Sequence, residues 1–595
     1  MIISRASDII RNRELEGTAL GSGSTQQIRA EASLSEGIRQ QLEHSPNLKV
    51  AIAQMKPLAT RLSDNVNSMK AYIDRSEAQG VDVVIFPELT IPGYLTLDLA
   101  NDIDFVRANI EALKEIVDYT KDKKVTVIGG FIDYEETGEV FRKFNFFNSA
   151  AVIESGKIVD VIDKTLLPDY NIFWESRNFK PSTERHTVDI KGHKVGLQIC
   201  EDLWDRNYSV KVSDELKNQG AELLVNISAS PFEEGKYITR QELVQGTANK
   251  QGLPIIYSNM VGVQDGNEGE IVFDGRSMVC LPGNKVVALG KSFEEDLLIV
   301  DLNKPKEVVL PEWAPADEVY HALVLGIKEY CSRNGFKRVY IGLSGGIDSA
   351  VTAALATAAL GPENVIGITM PMNGITSDET FDDALRLASL LGIRCDIRPI
   401  GDLYRAWLEG ASKQHPNLQS ITKQNQQARA RGQILMEMAN EDRDAMVLNT
   451  GNKTESALGY MTLYGDMCGG LAALGDVDKA MVYELAEFIN NINEREVIPY
   501  TTVGRLPSAE LEPGQADRDN LPADYPVLVP LVNEIIKKEK VRAEIRGEFG
   551  EAVTNETLRK IARNEFKRQQ APRSIRVSSI AFGAGRRIPI DSTFF

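Results

Sequence analysis

From Leu48 onward the chain alternates short apolar runs with stretches whose apolar positions recur at a helical period. Val50-Ala51-Ile52-Ala53-Gln54 predicts a strand, residues 65–79 a helix, and Val81-Asp82-Val83-Val84-Ile85-Phe86 a second buried strand. Residues 125–130, 150–153, 195–199 and 223–227 continue the series, with hairpin-like pairs among them. That mixture predicts a layered α/β domain ending near Asp301. Residues 303–317 carry Pro305, Pro311 and Pro315 with little periodicity and read as a connector. From Glu318 a β/α alternation resumes, with strands expected at 339–343, 365–369, 395–399 and 445–450. This is the doubly wound parallel pattern, whose ligands sit beyond the carboxyl ends of the strands. Residues before Leu48 are polar, with Gly21-Ser22-Gly23-Ser24-Thr25 in their middle, and read as a flexible or partner-dependent extension. The expected division is 1–47, 48–302, 303–317 and 318–595, without internal repeats.

Composition narrows the class. A chain of 595 residues with 43% apolar and 26% charged positions is a globular protein, long enough for roughly two to four domains. No apolar run of about 18 residues exists to span a membrane. The beginning has no apolar signal core, and Cys200, Cys280, Cys331, Cys395 and Cys468 are scattered without C-x-x-C spacing. Both features point to reduced thiols in the cytoplasm and away from a zinc site. A net charge of −18 disfavours nucleic acid as a partner, because phosphate contact needs a basic face.

The chemistry begins at Gly342-Leu343-Ser344-Gly345-Gly346-Ile347-Asp348-Ser349, between a strand-like run and an alanine-rich helix expected over 350–360. Strand, small-residue turn and helix N-terminus form an anion cradle, since unpaired N–H groups and the helix dipole point at one spot. Gly345 and Gly346 admit a phosphate to the backbone, and Ser344 and Ser349 add hydroxyls. Asp348 belongs in such a cradle only if a cation accompanies the nucleotide, which suggests Mg²⁺. The spacing is not that of a Walker loop. S-G-G-x-D-S resembles the loop of the ATP pyrophosphatases, which implies adenylation of a substrate oxygen and displacement of AMP by a nucleophile.

In the first half three chemical groups stand at strand ends: Glu88 in Phe86-Pro87-Glu88-Leu89, Lys164 after Asp163, and Cys200 after Leu197-Gln198-Ile199. Cys200 precedes a predicted helix, where a thiol pKa is lowered. Singly each has a structural explanation, as a cap, a solvated charge or a small core residue. In this order they resemble the Glu-Lys-Cys triad of the nitrilase superfamily over residues 50–301. The resemblance implies an α-β-β-α layered fold, with Cys200 as nucleophile, Glu88 as general base, Lys164 as oxyanion stabiliser and Glu175 as an orienting carboxylate. His186 and His193 sit at no obvious strand end, so a Cys-His-Glu glutaminase is disfavoured. Tyr170, Ser230 and Lys236 resemble positions that hold glutamine in such domains.

In the second half Thr450-Gly451-Asn452-Lys453-Thr454-Glu455 follows a strand, and could serve a ribose or a metal or simply cap a helix. With residues 425–432, 510–517 and 565–572 it resembles the glutamine-dependent NAD synthetases, and with the first-half triad the match runs over residues 50–590. Leu528-Val529-Pro530 departs from the Leu-Asp pair of that family's pattern. The resemblance implies an adenine nucleotide alpha-hydrolase-like second domain and assigns the loop from Gly342 to Ser349, Thr450 and Lys479 to ATP. It assigns Asn425, Glu455 and Lys567 to deamido-NAD, and Asp348 and Glu455 to Mg²⁺. It further implies a homo-oligomer acting on small molecules. Because ammonium is not nucleophilic, a protected passage for ammonia is expected, within one chain or between subunits. The rival readings are another amidotransferase with the same ATP chemistry and a nitrilase-like scaffold.

Overall fold

The computed structural model describes residues 46–138, 143–267, 269–512, 514–515, 517–583 and 585–592. The extension expected before Leu48 falls almost wholly outside the described residues, as do Pro513 and Ala516 of the 510–517 block.

Fourteen of the strands lie before residue 302: β1 Lys49–Gln54, β2 Val83–Ile85, β3 Thr126–Glu136, β4 Phe144–Glu154, β5 Lys157–Asp163, β6 Val188–Ile190, β7 His193–Ile199, β8 Leu223–Ser228, β9 Ile255–Asn259, β10 Val261–Asp265, β11 Gly269–Asp274, β12 Met278–Leu281, β13 Lys285–Leu289 and β14 Asp296–Asp301. Twelve of them form two six-stranded sheets, ordered β14-β1-β2-β3-β4-β5 and β13-β12-β9-β8-β7-β6. The period-two alternation sorts their faces. Val50, Ile52, Val83, Ile85 and Ile128 meet Val195, Leu197, Val225, Ile227 and Ile256 between the sheets. Ala51, Ala53, Val84 and Val127 turn outward onto helices Leu62–Ala78 and Ile103–Tyr119. Helix Lys236–Gln251 covers the outer face of the other sheet through Val244 and Ala248. The layers are therefore α-β-β-α.

The remaining strands are β15 Arg338–Gly342, β16 Val365–Thr369, β17 Arg394–Ile397, β18 Ala445–Asn449, β19 Leu471–Ala472 and β20 Arg573–Arg576. They build a sheet ordered β10-β11-β20-β19-β18-β15-β16-β17, parallel from β11 to β17. Helices Pro315–Asn334, Ile347–Leu360 and Lys479–Ile492 pack one face, and Ser420–Glu441 packs the other. The hairpin β10–β11 thus leaves the two-sheet layer and extends the second half's sheet by pairing β11 with β20.

Two helix starts differ from expectation. The helix after the connector begins at Pro315, because its first position needs no N–H and suits the fixed φ of proline. The helix after the phosphate loop begins at Ile347, so Asp348 and Ser349 belong to its first turn. Leu528 to Pro530 lie in helix Tyr525–Lys537 with Leu528 fully buried. No helix among the described residues is long and apolar enough to cross a membrane.

Candidate active sites

At the first site Glu88 follows β2 in a turn pressed onto β3. A Cβ on Gly130 would lie 2.2 Å from the backbone nitrogen of Leu89, so only glycine permits the approach. Lys164 is the first residue after β5, and Cys200 the first after β7. The Lys164 ammonium, fully buried, donates to Glu88 Oε1 at 2.7 Å and to Glu175 Oε1 at 2.8 Å. Asn148 Nδ2 donates to Glu88 Oε1 at 2.7 Å, and the N–H of Ala229 to Glu88 Oε2 at 2.8 Å. The Tyr94 hydroxyl donates to Glu175 Oε1 at 2.6 Å. Asp202 fastens the two turns together. It accepts the N–H groups of Thr165 and Leu166 at 3.0 and 2.8 Å and that of Ile199 at 3.0 Å.

The expectation of a thiol acidified by a helix N-terminus is corrected. Cys200 opens a four-residue 3-10 turn, Cys200–Leu203, too short for a macrodipole. Burial pushes its thiol pKa well up, Glu88 pushes further, and Lys164 opposes both. With its pKa raised, activation of the sulfur falls to a base. Its backbone, at φ +45, is strained for a residue with a Cβ. Burial would lower the Lys164 ammonium, but Glu175 and Glu88 outweigh it and hold its pKa well above the ordinary value. Burial raises Glu175 to about 7 against the pull of Lys164.

Of the residues expected to hold glutamine, Tyr170 is exposed and donates to Glu201 Oε2 at 3.1 Å, while Tyr208 donates to Glu201 Oε1 at 2.9 Å. The N–H of Ser230 donates to Asn259 Oδ1 at 2.9 Å. Lys236 is half-buried at the start of its helix, and desolvation lowers its ammonium pKa. A thiolate at Cys200 would raise the pKa of both Tyr170 and Lys236.

At the second site Gly345 has φ +80, and a Cβ there would lie 2.1 Å from the carbonyl oxygen of Thr380. The two hydroxyls brace the loop: Ser344 Oγ stands 3.2 Å from Ser349 Oγ and accepts the N–H of Gly346 at 3.2 Å, and Ser349 Oγ donates to the Gly346 carbonyl at 2.9 Å. Asp348 Oδ2 accepts from Lys479 Nζ at 2.5 Å, and Oδ1 from Asn452 Nδ2 at 2.9 Å. Lys479 also stands 3.7 Å from Glu455 Oε1. Burial would lower the Lys479 ammonium, but Asp348 and Glu455 outweigh it and hold its pKa well up. Burial, then Asp348, raise Glu455 to about 8, with Lys479 opposing. Leu343 and Ile347 are buried beneath the loop, Gly342 closes β15, and Thr450 follows β18.

Asn425 Oδ1 accepts from the Thr462 hydroxyl at 3.0 Å. Lys567 Nζ donates to the carbonyls of Gly459 and Met461 at 2.8 Å each. The Tyr460 N–H reaches the Glu455 carbonyl at 3.0 Å. Asn425 and Lys567 therefore both contact the loop after helix Lys453–Leu458, whereas Glu455 reaches it through its backbone carbonyl and turns its carboxylate to Asn452 and Lys479. Beside the loop, a cavity of about 440 Å³ is lined by Arg429, Gln433, Met436, Tyr464 and Gln570 among others.

Sequence reasoning missed Asn452 and Asp517. Asn452 caps its helix by accepting the Glu455 N–H at 3.0 Å, while Glu455 Oε2 accepts the Asn452 N–H at 3.3 Å. The capping spacing Asn-x-x-Glu was its readable signal. Asp517 accepts from the hydroxyls of Tyr525 and Tyr460 at 3.0 and 3.3 Å, and burial raises its pKa. Three carboxylates, Asp348, Glu455 and Asp517, thus share the field of one ammonium. This excess of acceptors fits a hard cation held by one or two carboxylates with phosphate oxygens completing its shell. Among the described residues no group of three or more His, Cys, Asp or Glu side chains is arranged to hold an ion unaided.

Two family models match the chain: carbon-nitrogen hydrolase over residues 49–307 and NAD synthase over residues 319–571. A glutamine-dependent NAD(+) synthetase of Thermotoga maritima is 37% identical, covering 92% of this chain and 99% of its own. One from Aquifex aeolicus is 35% identical, covering 92% of this chain and all of its own. A solved structure of the Acinetobacter baumannii glutamine-dependent NAD+ synthetase, in complex with ADP, superposes with a TM-score of 0.71 at 33% identity. It covers 91% of this chain and 98% of that one.

Proposed function

This chain belongs to the glutamine-dependent NAD(+) synthetases, and from that premise we propose how its residues divide the work. The enzyme amidates deamido-NAD to NAD. ATP converts the nicotinate carboxylate to an acyl-adenylate with release of pyrophosphate, ammonia from glutamine displaces AMP, and the glutamine leaves as glutamate.

In the first half, Glu88 takes the Cys200 proton as the sulfur attacks the side-chain carbonyl of glutamine. Lys164, kept cationic by Glu88 and Glu175, stabilises the oxyanion of the tetrahedral intermediate. Collapse expels ammonia with the proton Glu88 returns, and a water activated by Glu88 then hydrolyses the thioester. Glu175 holds the lysine in position, and Tyr170, Ser230 and Lys236 bind the glutamine.

In the second half, the loop from Gly342 to Ser349 and Thr450 bind ATP, with Lys479 as fixed positive charge. Asn425, Glu455 and Lys567 bind deamido-NAD, and the cavity lined by Arg429, Leu463, Tyr464 and Gln570 has room for part of the dinucleotide. Asp348 and Glu455 would hold Mg²⁺, which when bound neutralises the phosphates and the departing pyrophosphate. The division into 48–302 and 318–595, joined by 303–317 and preceded by an extension at 1–47, follows these two chemistries. Tyr464, Met436 and Phe566 are exposed apolar side chains at or near the cavity, which supports a homo-oligomer covering that face. Five free thiols support a reducing, cytoplasmic setting.

The single observation that carries the reading is the Lys164 ammonium bridging Glu88 and Glu175 beside a buried thiol. The test is the purified chain with ATP, Mg²⁺, deamido-NAD and either glutamine or ammonia, following AMP and NAD. AMP formed without NAD would refute it.

A further inference from the structure

The two loops that carry the proposed glutamine contacts are not held by the first half alone. Strand β20 pairs with β11, setting Ile271 opposite Arg576, and the chain after it runs between those loops. Arg576, buried to 2% exposure, donates to Glu233 Oε2 at 3.0 Å and to the carbonyls of Phe232 at 3.4 Å and Ser579 at 2.8 Å. The N–H of Glu234 donates to the Val577 carbonyl at 2.9 Å. On the other side, Asn171 Nδ2 donates to the same Ser579 carbonyl at 2.6 Å. A continuous path therefore runs from Asn171, next to Tyr170, through Ser579 and Arg576 to Glu233, three residues before Lys236.

The segment is itself fixed. Asp476 accepts the N–H groups of Val577 and Ser578 at 2.9 and 2.8 Å. Lys453 donates to Ser578 Oγ at 2.7 Å and to the Ile580 carbonyl at 2.8 Å. A buried guanidinium with three acceptors, one of them charged, resists displacement, because each lost contact leaves a desolvated group unpaired.

We infer that Arg576 and Asn171 are positioning residues of the glutaminase reaction: residues 576–579 of the second half set the separation of the Tyr170 and Lys236 loops and so complete the glutamine pocket. The inference rests on the assignment of Tyr170 and Lys236 to glutamine. Arg576 touches neither substrate nor the reacting atoms, so its effect is on binding geometry, not on the thiol chemistry.

The test is steady-state kinetics of the full chain with glutamine and with ammonia. The variants are Arg576→Gln, Arg576→Lys, Asn171→Asp and, as control, Lys236→Ala. Asn171 sits at φ +56, which aspartate also tolerates, so Asn171→Asp swaps the donor for an acceptor without a backbone change. Arg576→Gln and Asn171→Asp are expected to raise KM for glutamine roughly tenfold or more, with kcat at saturating glutamine and ammonia-driven synthesis close to wild type. Arg576→Lys is expected to recover part of the loss. Glutamine KM unmoved in both Arg576→Gln and Asn171→Asp while Lys236→Ala raises it would overturn the inference alone. Parallel loss of glutamine- and ammonia-driven turnover would also overturn it, since Arg576 would then simply hold the fold. An unmoved KM in Lys236→Ala as well would overturn the glutamine assignment underneath it.

Discussion

Glu88 receives three hydrogen bonds, from Lys164, Asn148 and the N–H of Ala229, none longer than 2.8 Å. Glu455, the corresponding carboxylate of the second site, is half-buried and has Lys479 at 3.7 Å and one N–H at 3.3 Å. The first site has its charges and donors already arranged around the sulfur. The second has acceptors in excess and a carboxylate whose pKa is raised by burial and by Asp348. The difference follows from the chemistry. Thiol attack uses only side chains of the chain, so they are preorganised. Adenylation brings in phosphates and a cation, so the second site's charges are balanced only when its ligands arrive.

The sharpest way to break this comparison is to remove the sulfur. Cys200→Ala is expected to lower glutamine-driven NAD formation by roughly four orders of magnitude or more, while ammonia-driven formation stays near wild type. A nucleophile has no partial substitute, and alanine, smaller than cysteine and apolar, suits the buried apolar cluster that holds Cys200. Equal loss with both nitrogen donors would make Cys200 structural.

Asp348→Asn tests the other side. The amide keeps the shape and the Asn452 contact's geometry but removes the charge that faces Lys479. Adenylation, read as pyrophosphate release, is expected to fall roughly a hundredfold to a thousandfold with either donor, and glutamine hydrolysis alone much less. Undiminished pyrophosphate release would remove Asp348 from the phosphate chemistry.

These experiments bear on what the sequence made legible. Glu88, Lys164 and Cys200 stand at strand ends whose apolar runs are local and easily read, and Gly345 announces its loop. Asp202 was hidden because a carboxylate two residues after the thiol gives no local sign that it accepts N–H groups from Thr165 and Leu166. Asn148 and the Ala229 N–H reach Glu88 across 60 and 141 residues, a separation that no periodicity encodes. The pairing of β11 with β20 was hidden for the same reason, since strand partners are chosen by the assembled sheet. The thiol's acidity was misjudged because a turn of four residues and a helix share one local pattern, whereas burial is a property of the whole layer.

The finest probe of the preorganised site is the pH dependence of its stability. Burial lifts Glu175 from the ordinary glutamate value of 4.5 to about 7. The folded protein therefore binds that proton more tightly than the unfolded chain, and the resulting stabilisation is fully present below about pH 4.5 and lost as pH rises through about 7. Glu175→Gln removes the titration and keeps an acceptor for Lys164. Its stability relative to wild type, measured by urea unfolding across that window, is expected to improve as pH rises. This is the smallest of the three effects, because Lys164 at 2.8 Å already offsets part of the burial. A difference that stayed flat would mean that Lys164 fully compensates the buried charge, and Glu175 would then be an ordinary ion-pair partner with its proton already gone at neutral pH.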